Sequence, residues 1–167
     1  MALPDDYITD ALAAINARPR GRPRQSVLRR AVSTAYYALF LELTEDAGRA
    51  LAPASPTTLQ AAVRRKLSHK PMATACGQWK QGNSAWLPLI GAAVPAQLNR
   101  VAGDFVDLQQ ARHEADYDPS ARLSKPGTLA TVLRSREAIR AWRALKAADA
   151  DTANVFLVSL MHPKPKD

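Results

Sequence analysis

The chain has a single cysteine, Cys76, so it cannot close an internal disulfide. No Cys/His group has the spacing of a zinc site, and no metal or cofactor is expected. No apolar run approaches the roughly 20 residues that a membrane span requires, so no membrane partner is expected. The opening MALPDDYITD is acidic and lacks the basic-then-apolar order of a secretory signal. No stretch alternates as a strand does, and there is no internal repeat. Together these absences point to a cytoplasmic protein of the all-α class.

Acid is also scarce. The chain has 15 Asp+Glu against 23 Lys+Arg, a net charge of +8. Residues 18 to 30 hold Arg18, Arg20, Arg22, Arg24, Arg29 and Arg30 with no acid among them. Arg64, Arg65, Lys66 and Lys70 form a second group. Such clusters are the footprint of a polyanion binder, nucleic acid first. A solvated surface in an Arg-rich protein accounts for the same charge.

The 167 residues suffice for one domain with a sizeable core, and 47% are apolar. The spacing predicts a short helix over 4–17, with Tyr7, Leu12 and Ile15 near one face. Residues 18–24 alternate Arg with Pro and Gly, a breaker pattern that reads as a basic loop. A long helix follows from about Gln25 to Ala47, with Gly48 placed as its C-terminal cap. Leu28, Val32, Ala35, Leu39 and Leu43 form its apolar stripe, widened by Tyr36 and Phe40. Tyr36 and Tyr37 point about 100° apart, so one of them turns its hydroxyl to a partner, a polar site or solvent.

Ser55-Pro56 starts a third helix, running to about Ser68 with Leu59, Val63 and Leu67 on its apolar side. His69 closes it. Residues 71–93, punctuated by Gly77, Gly82, Pro88 and Gly91, read as an irregular connector of short turns pinned by Trp79 and Trp86. Cys76 reads as a small buried side chain. A helix from Ser124 or Lys125 to Ala148 carries Val132, Ile139, Trp142 and Leu145, with Arg136, Arg140 and Arg143 on another face. Asp151 or Thr152 caps a last short helix, and residues 162–167 form a frayed tail. The sum is an antiparallel bundle of five or six helices.

Val94 to Pro119 is the chemically dense stretch. Leu98, Val101, Phe105 and Leu108 lie on one helical face, and the next position on that seam is Arg112. His113, Glu114, Asp116, Tyr117 and Asp118 follow, and Pro119 stops the helix. A guanidinium that continues an apolar seam must be paired to be tolerated. It is also natural where two equivalent helices meet.

Three segments resemble the HEPN-domain family of helical proteins from prokaryotic toxin and defence systems. They are RRAVSTAYYALFLEL (29–43), VRRKLSHK (63–70) and FVDLQQARHEADYDP (105–119). With the following helix they cover most of residues 25–148. AYYALF and the Arg112-x-x-Ala-Asp-Tyr-Asp element are the specific parts. The resemblance implies a four- to five-helix bundle and a two-fold homodimer. It implies a cleft that handles RNA, or a companion role beside a separately encoded nucleotidyltransferase. In many members Arg, four to six residues, then His forms a metal-independent ribonuclease site. There the Arg binds phosphate and the His activates or positions the ribose 2′-hydroxyl.

This chain matches the Arg with Arg112, while the position five later is Tyr117 rather than His. Three readings of the segment follow. In one, His113 or Tyr117 replaces the absent His beside Arg112 and the protein cuts RNA. In the second, the site binds RNA or a nucleotide without cutting. The binding candidates are Arg29, Arg30, Tyr36, Tyr37, Arg112, Asp116 and Asp118. In the third, Arg112 pairs with Asp116 or with a partner-chain carboxylate, and Tyr117 and Asp118 lock the helix end and the dimer. A non-catalytic subunit that docks on a cognate partner protein is the competing function.

Overall fold

The computed structural model describes residues 2–17, 23–54, 57–91 and 93–163. Among these residues every regular element is helical. There are seven α-helices: α1 (Leu3–Asn16), α2 (Gln25–Leu51), α3 (Thr57–Lys66), α4 (His69–Lys80), α5 (Ala96–Tyr117), α6 (Lys125–Ala148) and α7 (Ala150–Met161). A short 3-10 turn, Leu87–Ile90, lies between α4 and α5. No helix of the described residues is long and apolar enough to cross a membrane.

The α2 helix is the axis of the bundle and packs against α1, α3, α5, α6 and α7. Its predicted stripe is buried, with Leu28, Val32, Ala35, Leu39 and Leu43 all inside. Leu98, Val101, Phe105 and Leu108 of α5 meet that stripe, as do Val132, Ile139 and Trp142 of α6. Helix α1 begins with Pro4 in its first turn and Asp5 and Asp6 near its positive end, both favourable there. Ser124 caps α6 by accepting from Gly127 N at 3.1 Å.

Two acids lie inside the bundle on α2. Glu42 takes both arms of Arg143, at 2.8 Å each, and Arg143 also reaches Asp5 of α1 at 3.0 and 3.1 Å. Asp46 accepts from Trp142 Nε1 at 2.6 Å and from Lys146 Nζ at 2.5 Å. These pairs tie α2 to α6 and α1 through the polar side of an otherwise apolar seam.

The bundle has more helices than five or six, because α4 is a full helix where residues 71–93 read as irregular. Pro71 sits in the first turn of α4, where its missing N–H has no partner to lose. Gly77 is simply carried within the helix. Met72, Ala75, Cys76 and Trp79 recur at three- and four-residue steps and are buried. Only the remainder is irregular, and Gly82 (φ 66°) and Gly91 (φ 62°) supply its left-handed turns. Trp86 pins it, donating Nε1 to the His162 carbonyl, while Trp79 pins α4 itself, donating Nε1 to Ser159 Oγ, each at 2.8 Å.

Other boundaries differ as well. The α2 helix runs through Gly48 to Leu51, so Gly48 is not a cap. A Cβ there would lie 3.2 Å from both the Gln60 carbonyl oxygen and Arg64 Cγ, so glycine permits the close approach of α3. The α3 helix buries none of its residues, and Leu59 is 49% exposed; Leu67, just past its end, is buried. His69 opens α4 instead of closing α3. The last helix is capped by Asp149, which accepts from Thr152 N at 3.0 Å, two or three residues earlier than expected. The basic residues 18–22, the Ser55-Pro56 start and tail residues 164–167 lie outside the described residues.

Candidate functional site

The C-terminal turns of α5 lie against the first half of α2 and the start of α4, and most of the candidate residues meet there. Arg112 continues the seam of Leu108 and is mostly buried, its side chain 18% exposed. Its Nε lies 2.7 Å from Asp116 Oδ2, one helical turn on. The contact is an ion pair without a well-directed hydrogen bond through Nε. Arg112 Nη2 donates to the Tyr37 hydroxyl at 3.2 Å. The guanidinium lies between two aromatic rings, 5.7 Å from the centre of Tyr37 and 5.4 Å from that of Tyr117. Burial works against the Arg112 charge, but Tyr37, Asp116 and Tyr117 outweigh it and hold its pKa above the ordinary value.

The second carboxylate oxygen of Asp116 accepts from Ser33 Oγ of α2. The Arg112–Asp116 pair predicted from the spacing is therefore present and is tied to α2 from both ends. Tyr117 is 63% exposed, and the ring of the exposed His113 packs on it at a tilt of 48°, with ring centres 5.0 Å apart. His113 thus faces Tyr117, not Arg112.

The paired tyrosines divide as the helical geometry requires. Tyr36 is fully buried, while Tyr37 is half-buried and reaches Arg112. The Tyr36 hydroxyl lies 2.6 Å from His69 Nδ1. Burial pushes the Tyr36 phenol far above its ordinary value, so it remains protonated. The His69 ring packs on Phe40 at 4.5 Å and Tyr37 at 5.8 Å. Partial burial and the nearby Arg112 cation hold the His69 pKa below its ordinary value.

The remaining candidates are placed differently. Arg29 directs Nη1 to the Ala115 carbonyl and Nη2 to the Ala121 carbonyl, both at 2.6 Å. It latches the α5–α6 connection onto α2. Asp118 accepts from Ser120 N at 2.8 Å and Ser120 Oγ at 2.6 Å, closing a turn after α5. Those two bonds hold its carboxyl below the usual range. Arg30 is exposed and lines a groove of about 790 Å³ between α1 and α2. Tyr7, Asp10, Ser33 and Tyr37 line it too, so it runs up to the Arg112 cluster through Ser33 and Tyr37.

Among the described residues no group of three or more His, Cys, Asp or Glu could hold a metal. Cys76 is completely buried, and burial drives its thiol far above the ordinary range, which makes it inert as a nucleophile. Sequence reasoning missed His69 as a neighbour of Arg112. It lies 33 residues from Tyr36, and no local spacing announces a contact made by two helices meeting. Comparison with protein-family models, curated proteins and solved structures found no match to this chain.

The cluster offers a fixed cation, an exposed aromatic ring and hydroxyl groups. Those groups suit a phosphate beside an unstacked base.

Proposed function

We propose that this is a HEPN-like cytoplasmic protein of a toxin–antitoxin or defence context, which binds RNA or a nucleotide at the end of α5. One observation carries the reading: the Arg112 guanidinium lies between Tyr37 and Tyr117, with the Tyr117 ring 63% exposed and packed at a tilt against His113. Stacking a base on such a ring is worth about 1–3 kcal/mol. Arg30 and the α1–α2 groove extend the cationic and aromatic surface beside it.

Binding without cutting is the form favoured. Arg112 is held on its own helix by Asp116, and His113 turns to Tyr117 instead of the guanidinium. Nothing in the group pairs a poised base with Arg112 in the manner that strand cleavage through the 2′-hydroxyl needs.

The test is incubation with a mixed RNA pool in EDTA, with retention on a filter and strand length read together. Wild type should retain RNA uncut, and Arg112→Ala should lose most retention. Cleavage that disappears in Arg112→Ala would make the protein a metal-independent ribonuclease instead.

A second reading, docking on a cognate partner protein or on a second copy, is favoured by α3. That helix buries none of its residues and leaves Leu59 49% exposed. Co-purification of a stoichiometric partner, lost in Leu59→Asp, would support it.

A further inference from the structure

His69 opens α4 with its Nδ1 2.6 Å from the Tyr36 hydroxyl. Tyr36 is fully buried, and among the described residues its hydroxyl has no other hydrogen-bond partner. A phenol carries one proton. If Nδ1–H donated to the phenol oxygen, that proton would be buried without an acceptor, at a cost of about 1–3 kcal/mol. The pair is satisfied the other way: the Tyr36 hydroxyl donates, Nδ1 accepts, and the ring proton of the neutral imidazole sits on Nε2.

Nε2, the other ring nitrogen, has no protein partner among the described residues. The ring is only partly buried. Tyr37 joins His69 to Arg112, because its ring lies 5.8 Å from the imidazole and its hydroxyl accepts from Arg112 Nη2. Gln109, three residues before Arg112 on the same face, donates Nε2 to the His69 carbonyl at 3.0 Å and holds α4 against α5. An unused N–H donor therefore stands one aromatic ring, that of Tyr37, from the fixed cation.

Resting on the binding reading above, we propose that His69 is a second anion-contacting residue of the Arg112 site. Its neutral imidazole donates Nε2–H to a phosphate oxygen of the bound RNA. A ring in this tautomer has no free lone pair on its outer nitrogen, so it holds a phosphate without acting as the base of a cleavage reaction. The depressed His69 pKa, set by burial and by Arg112, keeps the ring neutral near pH 7.

The experiment is fluorescence anisotropy with a labelled single-stranded RNA over a salt series. Wild type, His69→Ala, His69→Gln and Arg112→Ala are compared, each checked by thermal melting. His69→Ala should bind on the order of tenfold more weakly, since a hydrogen bond to a charged group is lost. His69→Gln, which keeps an N–H donor, should bind more tightly than His69→Ala. Because the lost donor is neutral, the slope of log affinity against log salt should stay at the wild-type value. In Arg112→Ala that slope should shrink by about 0.7, the release of one counterion from a single strand. Wild-type affinity in His69→Ala, or a shrunken slope in it, overturns the proposal while leaving the binding reading intact. Failure of wild type to bind RNA, or indifference to Arg112→Ala, overturns both. Should His69→Ala not fold, nitrogen-15 spectra of the wild-type imidazole decide. Protonated Nε2 is the expected result, and protonated Nδ1 refutes the assignment.

Discussion

Replacing Asp46 with asparagine should cost about 2 kcal/mol at neutral pH. The carboxylate is almost completely buried and accepts from Trp142 Nε1 at 2.6 Å, Lys146 Nζ at 2.5 Å and Arg49 Nη2 at 2.9 Å. Asparagine has nearly the same shape and still offers Trp142 an oxygen. What it removes is the charge. Each hydrogen bond to a charged group contributes about 1.5–3 kcal/mol. The partners here are unequal, since Lys146 and Arg49 are 36% and 59% exposed and can return to water. Screening discounts their share, which leaves about 2 kcal/mol for the set. Asp46→Ala should cost about 1–3 kcal/mol more, because it strands the buried Trp142 N–H.

The same carboxylate predicts an acid signature. Burial alone would raise the Asp46 pKa, but the bonds from Lys146, Trp142 and Arg49 outweigh it and the folded value lies below the ordinary one. Near pH 4 the unfolded chain therefore binds more protons at this residue than the folded chain. The stabilisation is fully present above about pH 4 and is lost as pH falls through the folded value. Urea denaturation from pH 3 to pH 7 checks both points. Asp46→Asn should be less stable at pH 7 and should lose less stability on acidification. Equal stability at pH 7, or an unchanged acid profile, would refute the reasoning.

Other substitutions read out the remaining contacts. Trp79→Phe should cost about 1–2 kcal/mol in a denaturant melt, from the lost bond to Ser159 Oγ and some packing; Trp79→Ala should cost about 3–5 kcal/mol. Arg29→Gln should speed amide exchange across residues 115–121, whose carbonyls Arg29 holds, while amides in the middle of α2 remain protected. Tyr117→His places an imidazole five positions after Arg112, yet it should not confer RNA cleavage in EDTA, because Asp116 still holds the guanidinium on its own helix. Cleavage by that variant would show that only the histidine was missing.

The parts of the fold legible in the sequence are those with long, regular apolar spacing. Leu28 through Leu43 fixed the buried face of α2, and Leu98 through Leu108 that of α5, because many residues vote for one face. Helix α4 was obscured by Pro71 and Gly77, breakers by type but harmless where they fall. Gly48 misled for a related reason. Its small size serves the approach of α3, a contact that residue spacing along one helix does not encode. At the site, the Arg112–Asp116 pair is a local i,i+4 event and was legible. Arg29 reaching over to Ala115 and Ala121, and His69 meeting Tyr36, depend on how helices cross. The sequence showed their charge or chemistry and not their address.

The most direct measurement is a titration of the nitrogen-15-labelled protein with a short single-stranded RNA, followed through the backbone amides and the Arg112 Nε–H. Binding at the end of α5 predicts shifts concentrated at residues 30–37, 69 and 112–118, with the Arg112 side chain among the largest. Unchanged spectra, or shifts confined to α3, would contradict the site and turn attention to the exposed helix as a protein-docking surface.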